Sequence, residues 1–476
     1  MTNKQGIIQQ LIDKGVLVTK EFLENNELTE DLVREAGGGL FLKTEEKSEQ
    51  NQKNKTNVTI VSSYFKQGEK RGVQDFTKYF RARYEEIKEI LYNREELQNA
   101  ISINKFFFRN KGDKISLIGM VFDKKITKNK HTILEIEDFT GKIKVMLSKK
   151  IKGLDELSEK IVFDEVIGIK GVVGDGIVFA NSVYFPDIPN TKELKKSDED
   201  INIAFLSDIH IGSKLFFKEE FERFIKWTRG ELGTPQQREE AFKLKYLFIA
   251  GDVVDGIGVY PGQEDELEIK NVEEQYKELA RYLSFIREDI NIIICPGNHD
   301  ALRIAEPQPP LKNKFMKALQ KIPNLIFVSN PSLVNIHKSD TFSGFDVLLY
   351  HGYSFDHLIA NVDYLRKGGG YDNAELIMQF LLQKRHLAPI HSSTQYLPDK
   401  ERDPLVISKV PDFFIMGHLH KTSIGSYNGI SLICSSCWQD KTDFQEKMGH
   451  HPEPYLLPIA NLKTRKIKVM NFSGAE

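Results

Sequence analysis

Cysteine is scarce in this chain, with three among 476 residues. Three thiols cannot build the disulfide framework of a small secreted fold, and their scarcity fits a reducing compartment. Cys434-Ser-Ser-Cys437 has the spacing of a metal knuckle or a redox pair. No second pair accompanies it, so it reads as a small-residue turn. An excess of charge is missing as well: 66 Lys and Arg face 68 Asp and Glu, a net of −2. No global basic field draws in nucleic acid, and such contact must come from local patches or from a partner. No apolar run approaches the roughly 20 residues a membrane span needs. The opening MTNKQGIIQQ also lacks the apolar core of a signal peptide. The expectation is a cytoplasmic chain with no membrane partner. With 40% hydrophobic and 28% charged residues, the composition is globular, and the length calls for two or three domains.

Organisation follows from composition shifts. Residues 1–42 carry Ile7, Ile8, Leu11 and Ile12 at helical spacing and close on Gly37-Gly38-Gly39, which predicts a small helical N-terminal module. KTEEKSEQNQKNKT, residues 43–56, reads as a disordered linker. Over 57–102 a strand, NVTIVSSYF, precedes a helix whose Val73, Phe76, Phe80, Tyr84, Ile87 and Leu91 make a core-facing stripe. Residues 103–186 alternate apolar and polar positions around Gly and Asp turns, from FFFRNKGDKISLIGMVFDKKIT to VIGIKGVVGDGIVFANSVYF. Within them, LEIEDFTGKIKVML resembles the central hairpin of an OB-fold barrel. Lys124, Lys125, Lys128, Lys130, Lys149, Lys150 and Lys152 make this region basic. They serve either as an edge guard beside a docked partner, the reading preferred, or as a groove for single-stranded DNA. A second linker, DIPNTKELKKSDED, spans 187–200. From 201 to 476 strand-like and helix-like stretches alternate, which argues an α/β-layered domain. Phe216–Lys245 and EDELEIKNVEEQYKELARYLSFI are its helical segments, and Gly368-Gly369-Gly370 reads as a loop.

Five polar clusters carry the chemistry. Asp208-Ile209-His210, Gly251-Asp252-Val253-Val254-Asp255, Gly297-Asn298-His299-Asp300, His351-Gly352 and Gly417-His418-Leu419-His420 each close a strand-like run: INIAFLS, YLFIA, NIIICP, FDVLLY and DFFIM. Ligand-binding groups gather beyond the carboxyl ends of strands in α/β sheets. Each cluster alone is ordinary loop chemistry; only Gly-His-x-His is moderately specific, because residues two apart on a strand end project the same way. In this order and context they predict one site for two divalent metal ions, and two metals suggest phosphoryl chemistry. Asp208, His210 and His420 are assigned to one ion and Asn298, His351 and His418 to the other, with Asp252 as the bridge. Imidazole, carboxylate and amide ligands suit Mn²⁺, with Fe²⁺ or Zn²⁺ as alternatives. His299 is the candidate to protonate a leaving oxygen or to stabilise the transition state. Asp255 and Asp300 are assigned to orienting backbone or imidazole groups, with an Asx turn as the other reading of Asp300. Gly251, Gly297 and Gly417 are expected to let the chain bend sharply and the backbone approach a phosphate.

The five blocks, in this order over residues 200–460, resemble the calcineurin-like metallophosphoesterase superfamily, a β-sandwich flanked by helices. The flanking strings GDVVDGIGVYPGQEDEL, PGNHDALRIAEPQP, HSSTQYLPDKERDPLVI and GHLHKTSIGSYNGISLICSSCWQDKTDFQEKMGHHPEP resemble, more narrowly, the small-subunit family of archaeal family D DNA polymerases. The resemblance implies an OB-fold barrel before a nuclease domain. It also implies a two-metal 3′–5′ exonuclease that proofreads for a large catalytic polymerase subunit. Its further partners would be single-stranded DNA or a primer 3′ end and, through the holoenzyme, a sliding clamp. All ligand positions of the pattern are filled, which favours activity over a non-catalytic assembly subunit. The barrel argues against a free repair nuclease. The same blocks also serve phosphatases and cyclic-nucleotide phosphodiesterases, so metal ligands alone leave the substrate open.

Overall fold

The computed structural model describes residues 57–66 and 70–474. The helical module and linker expected over 1–56 lie outside the described residues. β1 (Val58–Ser62) and a helix, Val73–Tyr92, precede a closed five-stranded barrel. Its strands are β2 (Lys114–Ile126), β3 (Thr132–Asp138), β4 (Gly141–Leu147), β5 (Val166–Val173) and β6 (Ile177–Tyr184). They run in the order β2-β3-β4-β6-β5, and β5 pairs back onto β2. The β3–β4 hairpin turns at Asp138, whose carboxylate accepts the Thr140 and Gly141 amides at 2.7 and 3.1 Å. Leu134, Ile136, Ile143, Val145 and Leu147 point inward and are buried.

Three expectations need correction here. Phe106-Phe107-Phe108 does not begin a strand. Ile103–Phe106 is a short helix tied down by Asp138 and Thr140, and the strand begins at Lys114. Phe106 is buried in the barrel core, while Phe107 and Phe108 face out. In Val73–Tyr92 the stripe is only half right. Tyr84, Ile87 and Leu91 pack against Ile118, Met120 and Val166 of the barrel, whereas Val73 is exposed. Tyr79 and Arg83 are buried instead, because both reach Asp403. Among the barrel lysines, Lys124 points inward and donates to the Ser158 and Ile161 carbonyls, which removes it from any surface groove.

The rest of the chain forms two six-stranded sheets. One contains β7 (Asn202–Leu206), β8 (Leu244–Ala250), β9 (Asn291–Cys295) and β10 (Leu325–Phe327). The other begins with β11 (Ser332–Ile336), β12 (Phe345–Leu349) and β13 (Phe413–Met416), followed by the hairpin β14 (Ser423–Tyr427) and β15 (Ile430–Cys434). β16 (Leu456–Asn461) and β17 (Ile467–Asn471) return to complete the first sheet. The strand orders are β10-β9-β8-β7-β16-β17 and β1-β11-β12-β13-β15-β14. β1 therefore belongs to the second sheet, paired antiparallel with β11, although the helix and the whole barrel separate the two in the chain.

Strand side chains alternate between two cores, as the period of two requires. Ile203, Phe205, Phe248, Val347, Leu349, Phe413 and Ile415 fill the space between the sheets. Leu206, Leu247 and Ile249 face the helices Lys218–Thr228 and Val272–Leu283. Leu348, Phe414 and Met416 face the helices Phe355–Asn361 and Ala374–Lys384 on the far side. Burial on both faces explains why these strands read as continuous apolar runs. The segment 187–200 is pinned to this body, since Lys192 and Lys195 both pair with buried Asp412, at 2.6 and 3.0 Å. The barrel is docked by a buried pair, Lys384 with Glu165, 2.7 Å apart. Among the described residues no helix is long and apolar enough to cross a membrane.

Candidate metal centre

β7, β8 and β9 run parallel in one sheet, and β12 and β13 run parallel in the other. Their carboxyl ends deliver the five polar clusters to one place. Asp208, His210 and His420 come together, as do Asp252, His351 and His418, each trio with ligand atoms within 4.8 Å of one another. A third grouping joins His210, Asp255 and His299. Asn298 is beside the second trio, its Oδ1 2.9 Å from His351 Nε2.

The backbone at these positions is unusual. Asp208, His210, Asp252, His418 and His420 all have positive φ, between 49° and 69°. Non-glycine residues rarely adopt this region, and five together mark strain held in place by the surrounding fold. Glycines make room beside them. Gly251 has φ 87°, the sharp bend expected of it. Gly297 and Gly417 differ from expectation, since neither has a positive φ. A Cβ on Gly297 would lie 2.2 Å from Asp252 Oδ1, and one on Gly417 2.5 Å from Asp208 Oδ2. These glycines are there for the carboxylates to approach.

The protons of the imidazoles can be placed from their partners. His351 Nδ1 is 2.8 Å from the Ala250 carbonyl, which can only accept. Nδ1 therefore carries a hydrogen, and Nε2 is the nitrogen left to take a proton or a metal ion. That nitrogen faces Asp252 Oδ2 at 3.2 Å and the Asn298 oxygen at 2.9 Å. His210 Nδ1 donates to Asp255 Oδ1 at 3.0 Å, so its Nε2 is likewise the nitrogen turned to the cluster. That nitrogen lies 3.1 Å from His420 Nε2, which is itself 3.4 Å from Asp208 Oδ1. Imidazole nitrogens and carboxylate oxygens thus converge in a buried site, where a proton or a cation must lie between them. Burial alone would lower the pKa of His351, but Asp252 outweighs it and pushes the imidazole up to about 10. Asp252 in turn lies well below the usual carboxylate range despite burial, held there by His351 and His299. The arrangement favours positive charge among its carboxylates, and a divalent cation on neutral imidazoles fits the donor set.

The remaining sequence candidates take distinct places. His299 Nδ1 donates to the Asp255 carbonyl at 2.9 Å, while its backbone amide donates to Asp252 Oδ1 at 2.8 Å. Burial lowers its pKa. Asp255 orients His210 and is held by Gln263 and Gln439, at 2.9 and 3.0 Å. Asp300 accepts the Gly297 amide at 2.8 Å and the Tyr276 hydroxyl at 3.2 Å, so it closes the loop that carries Asn298. Burial, with Asp252 nearby, raises its carboxyl to about 7. Cys434 and Cys437 are buried free thiols whose Sγ atoms approach backbone carbonyls.

Four residues in this site escaped the motif reading. Asp356 Oδ2 accepts from His418 Nε2 at 3.0 Å, leaving Nδ1 for the cluster. Gln445 contacts His420 Nδ1 at 3.0 Å, and Gln263 and Gln439 hold Asp255. Only Asp356, five positions after His351, had a sequence signal, because metal-binding imidazoles require such acceptors.

Residues 203–424 match the family of DNA polymerase alpha/epsilon B subunits. Residues 115–177 match the OB-fold nucleic acid binding domain. These define the class: a polymerase accessory chain of the B type, carrying an OB-fold barrel. Three curated relatives narrow it, each a DNA polymerase II small subunit. That of Methanothermobacter thermautotrophicus is 42% identical over 83% of this chain and 79% of its own length. That of Thermoplasma acidophilum is 35% identical over 99% and 93%. That of Methanocaldococcus jannaschii is 40% identical over 82% of this chain but 64% of its own. The chain belongs to the family of archaeal DNA polymerase II small subunits, the small-subunit family of family D polymerases.

Proposed function

We propose that the two-sheet body is a calcineurin-like metallophosphoesterase domain acting as a two-metal 3′–5′ exonuclease. It would proofread for the large catalytic subunit that a small subunit implies. The carrying observation is the convergence of two buried trios, Asp208 with His210 and His420 and Asp252 with His351 and His418, each with its ligand atoms within 4.8 Å of one another. Asp208, His210 and His420 would hold one ion, and Asn298, His351 and His418 the other, with Asp252 between them. Mn²⁺ suits these donors best, and Fe²⁺ or Zn²⁺ also fit. Two such ions supply an activated water and neutralise charge on the phosphate oxygens.

The chain's own residues do the rest. Asp255 and Asp356 hold His210 and His418 in one tautomer each, so their lone pairs stay aimed inward. His299, fixed through Nδ1, presents Nε2 where a leaving oxygen would need a proton. Burial disfavours its imidazolium, and the negative charge of an arriving phosphate reverses that preference. The 3′–5′ direction and the proofreading role rest on the family resemblance and not on the geometry of the site. DNA replication, with single-stranded DNA or a primer 3′ end as substrate and a clamp reached through the holoenzyme, follows from the same reading.

The test uses the chain together with its large subunit, Mn²⁺, and single-stranded DNA labelled at either end. A 5′ label should give a ladder of shortening products, lost in Asp252→Ala and in His299→Ala, with Mn²⁺ binding spared in the latter. If wild type leaves both DNAs intact while the large subunit still binds, the chain is an assembly subunit.

A further inference from the structure

The site accounts for a phosphate but not for the base attached to it. Two aromatic rings stand at its edge. Tyr260, in the loop after β8, has its ring centroid 6.2 Å from that of His299. Phe444, in the helix Asp443–Met448, lies on Tyr260, with centroids 5.4 Å apart and planes inclined by 22°. Neither ring joins the cores on either side of the sheets. Phe444 is 44% exposed, and nearby Ile257 49%. Exposed aromatics are costly to leave in water without a use, but two stacked rings could simply shelter each other.

Their attachment decides between these readings. The Tyr260 hydroxyl donates to Glu266 Oε2 at 2.7 Å, and the Val259 amide donates to Gln263 Oε1 at 2.8 Å. The same Gln263 donates to the carboxylate and carbonyl of Asp255, the group that orients His210 and His299. From the other side, Gln445, next to Phe444, contacts His420 Nδ1 and completes the cap with Thr442 that starts the helix. The backbone beside each ring is thus tied by a glutamine to the same side of the candidate site, Gln263 through Asp255 to His210 and Gln445 at His420. Rings sheltering each other need no such anchoring.

We propose that Tyr260 and Phe444 form a stacking platform for the terminal nucleobase of a single strand whose phosphodiester lies at the metal centre. The inference rests on the nuclease reading above. A flat apolar surface beside a polar, charged site holds a base by its face, whichever base it is, as a proofreading site requires. Such stacking is worth about 1–3 kcal/mol per base, so removing it should cost about tenfold in affinity.

The test uses the full chain with its large subunit in Mn²⁺ and two single-stranded DNAs that differ only at the 3′-terminal nucleotide, one normal and one abasic. Wild type should degrade the normal DNA about tenfold more efficiently, mainly through KM. In Tyr260→Ala and Phe444→Ala the ratio should fall to near one. Tyr260→Phe and Phe444→Tyr, which keep a ring, should retain it. Phe444→Leu keeps apolar bulk without a ring and should lose the ratio, which carries the test if an alanine variant fails to fold. A ratio near one in wild type, or a tenfold ratio surviving in Phe444→Leu, overturns the platform while leaving the nuclease intact. A wild type that degrades neither DNA overturns the nuclease reading, and the platform with it.

Discussion

Two buried clusters in this molecule are built from the same residue types and are opposites in chemistry. Around Asp403, every acceptor has a donor. Its Oδ1 accepts the Tyr79 hydroxyl at 2.6 Å and the Leu405 amide at 2.9 Å, and its Oδ2 accepts Arg83 Nε and His386 Nε2 at 2.7 and 2.8 Å. His386 Nδ1 in turn accepts the Ala388 amide at 3.0 Å, and Arg83 Nη1 donates to the Pro389 carbonyl at 2.9 Å. Around Asp252 and Asp208, imidazoles are locked by outside partners so that their remaining nitrogens meet carboxylates. The first cluster is paired donor to acceptor and fastens the helix Val73–Tyr92 to the body. The second gathers its nitrogens and carboxylates round a common centre, the arrangement a cation would complete. Buried Asp and His are therefore no sign of function in themselves; their convergence on one centre is the distinguishing feature.

The sharpest break of this contrast is Asp252→Asn. DNA hydrolysis in Mn²⁺ should fall on the order of 10³-fold or more. Folding stability in EDTA should change little, because Asp300 loses a buried negative neighbour while His351 loses its counter-charge, and asparagine keeps an oxygen for the His299 amide. A stability loss on the scale of the Asp403 cluster would erase the distinction. Asp403→Ala should do the reverse, leaving Arg83 buried without its partner at a cost of about 3–5 kcal/mol. Denaturant titration in EDTA measures this, and a change within ~0.5 kcal/mol counts against the structural role.

Metal itself supplies the third test. At a hundredfold excess over its Kd, each Mn²⁺ should stabilise wild type by about 2.7 kcal/mol. Thermal unfolding with and without Mn²⁺ reads it, and the contribution of one ion should be lost in the double variant Asp208→Asn, His210→Ala. An equal shift in that variant would place the bound ions elsewhere. The smallest effect belongs to pH. Burial, with Arg83 nearby, lowers His386 to about 4 in the folded chain, against about 6.5 when unfolded. The unfolded state thus binds the extra proton. Stability is fully present above pH 6.5 and declines as pH falls towards 4, by about 2 kcal/mol between pH 7 and 5. Asp403, held low by Arg83 and His386 despite burial, adds a loss of the same sign at lower pH. Comparing urea midpoints of wild type and His386→Gln at pH 7 and 5 isolates the first contribution; parallel curves would refute it.

Much of this was legible along the chain. The five strand-end clusters could be read because each ends an apolar run, and strands buried on both faces leave few other arrangements. The β3–β4 hairpin could be read from Asp138-Phe139-Thr140-Gly141 between alternating segments. Arg83 could not. A charged residue on an amphipathic helix is expected to face solvent, and only Asp403, 320 positions away, makes its burial tolerable. Nor could the outward turn of Val73 be foreseen, since periodicity identifies a stripe and not where its partner surface ends.

Local alternation and chain punctuation were enough to place most of the strands, the order of the polar clusters and the residue types each delivers. Tertiary structure alone decided that the strand ends come from two sheets and that β1 pairs with β11 across the intervening barrel. It also decided which imidazole nitrogens are turned to the cluster. Their state is set by Ala250, Asp255 and Asp356. Such acceptors are recruited by proximity in space, and distance along the chain has no bearing on which ones arrive.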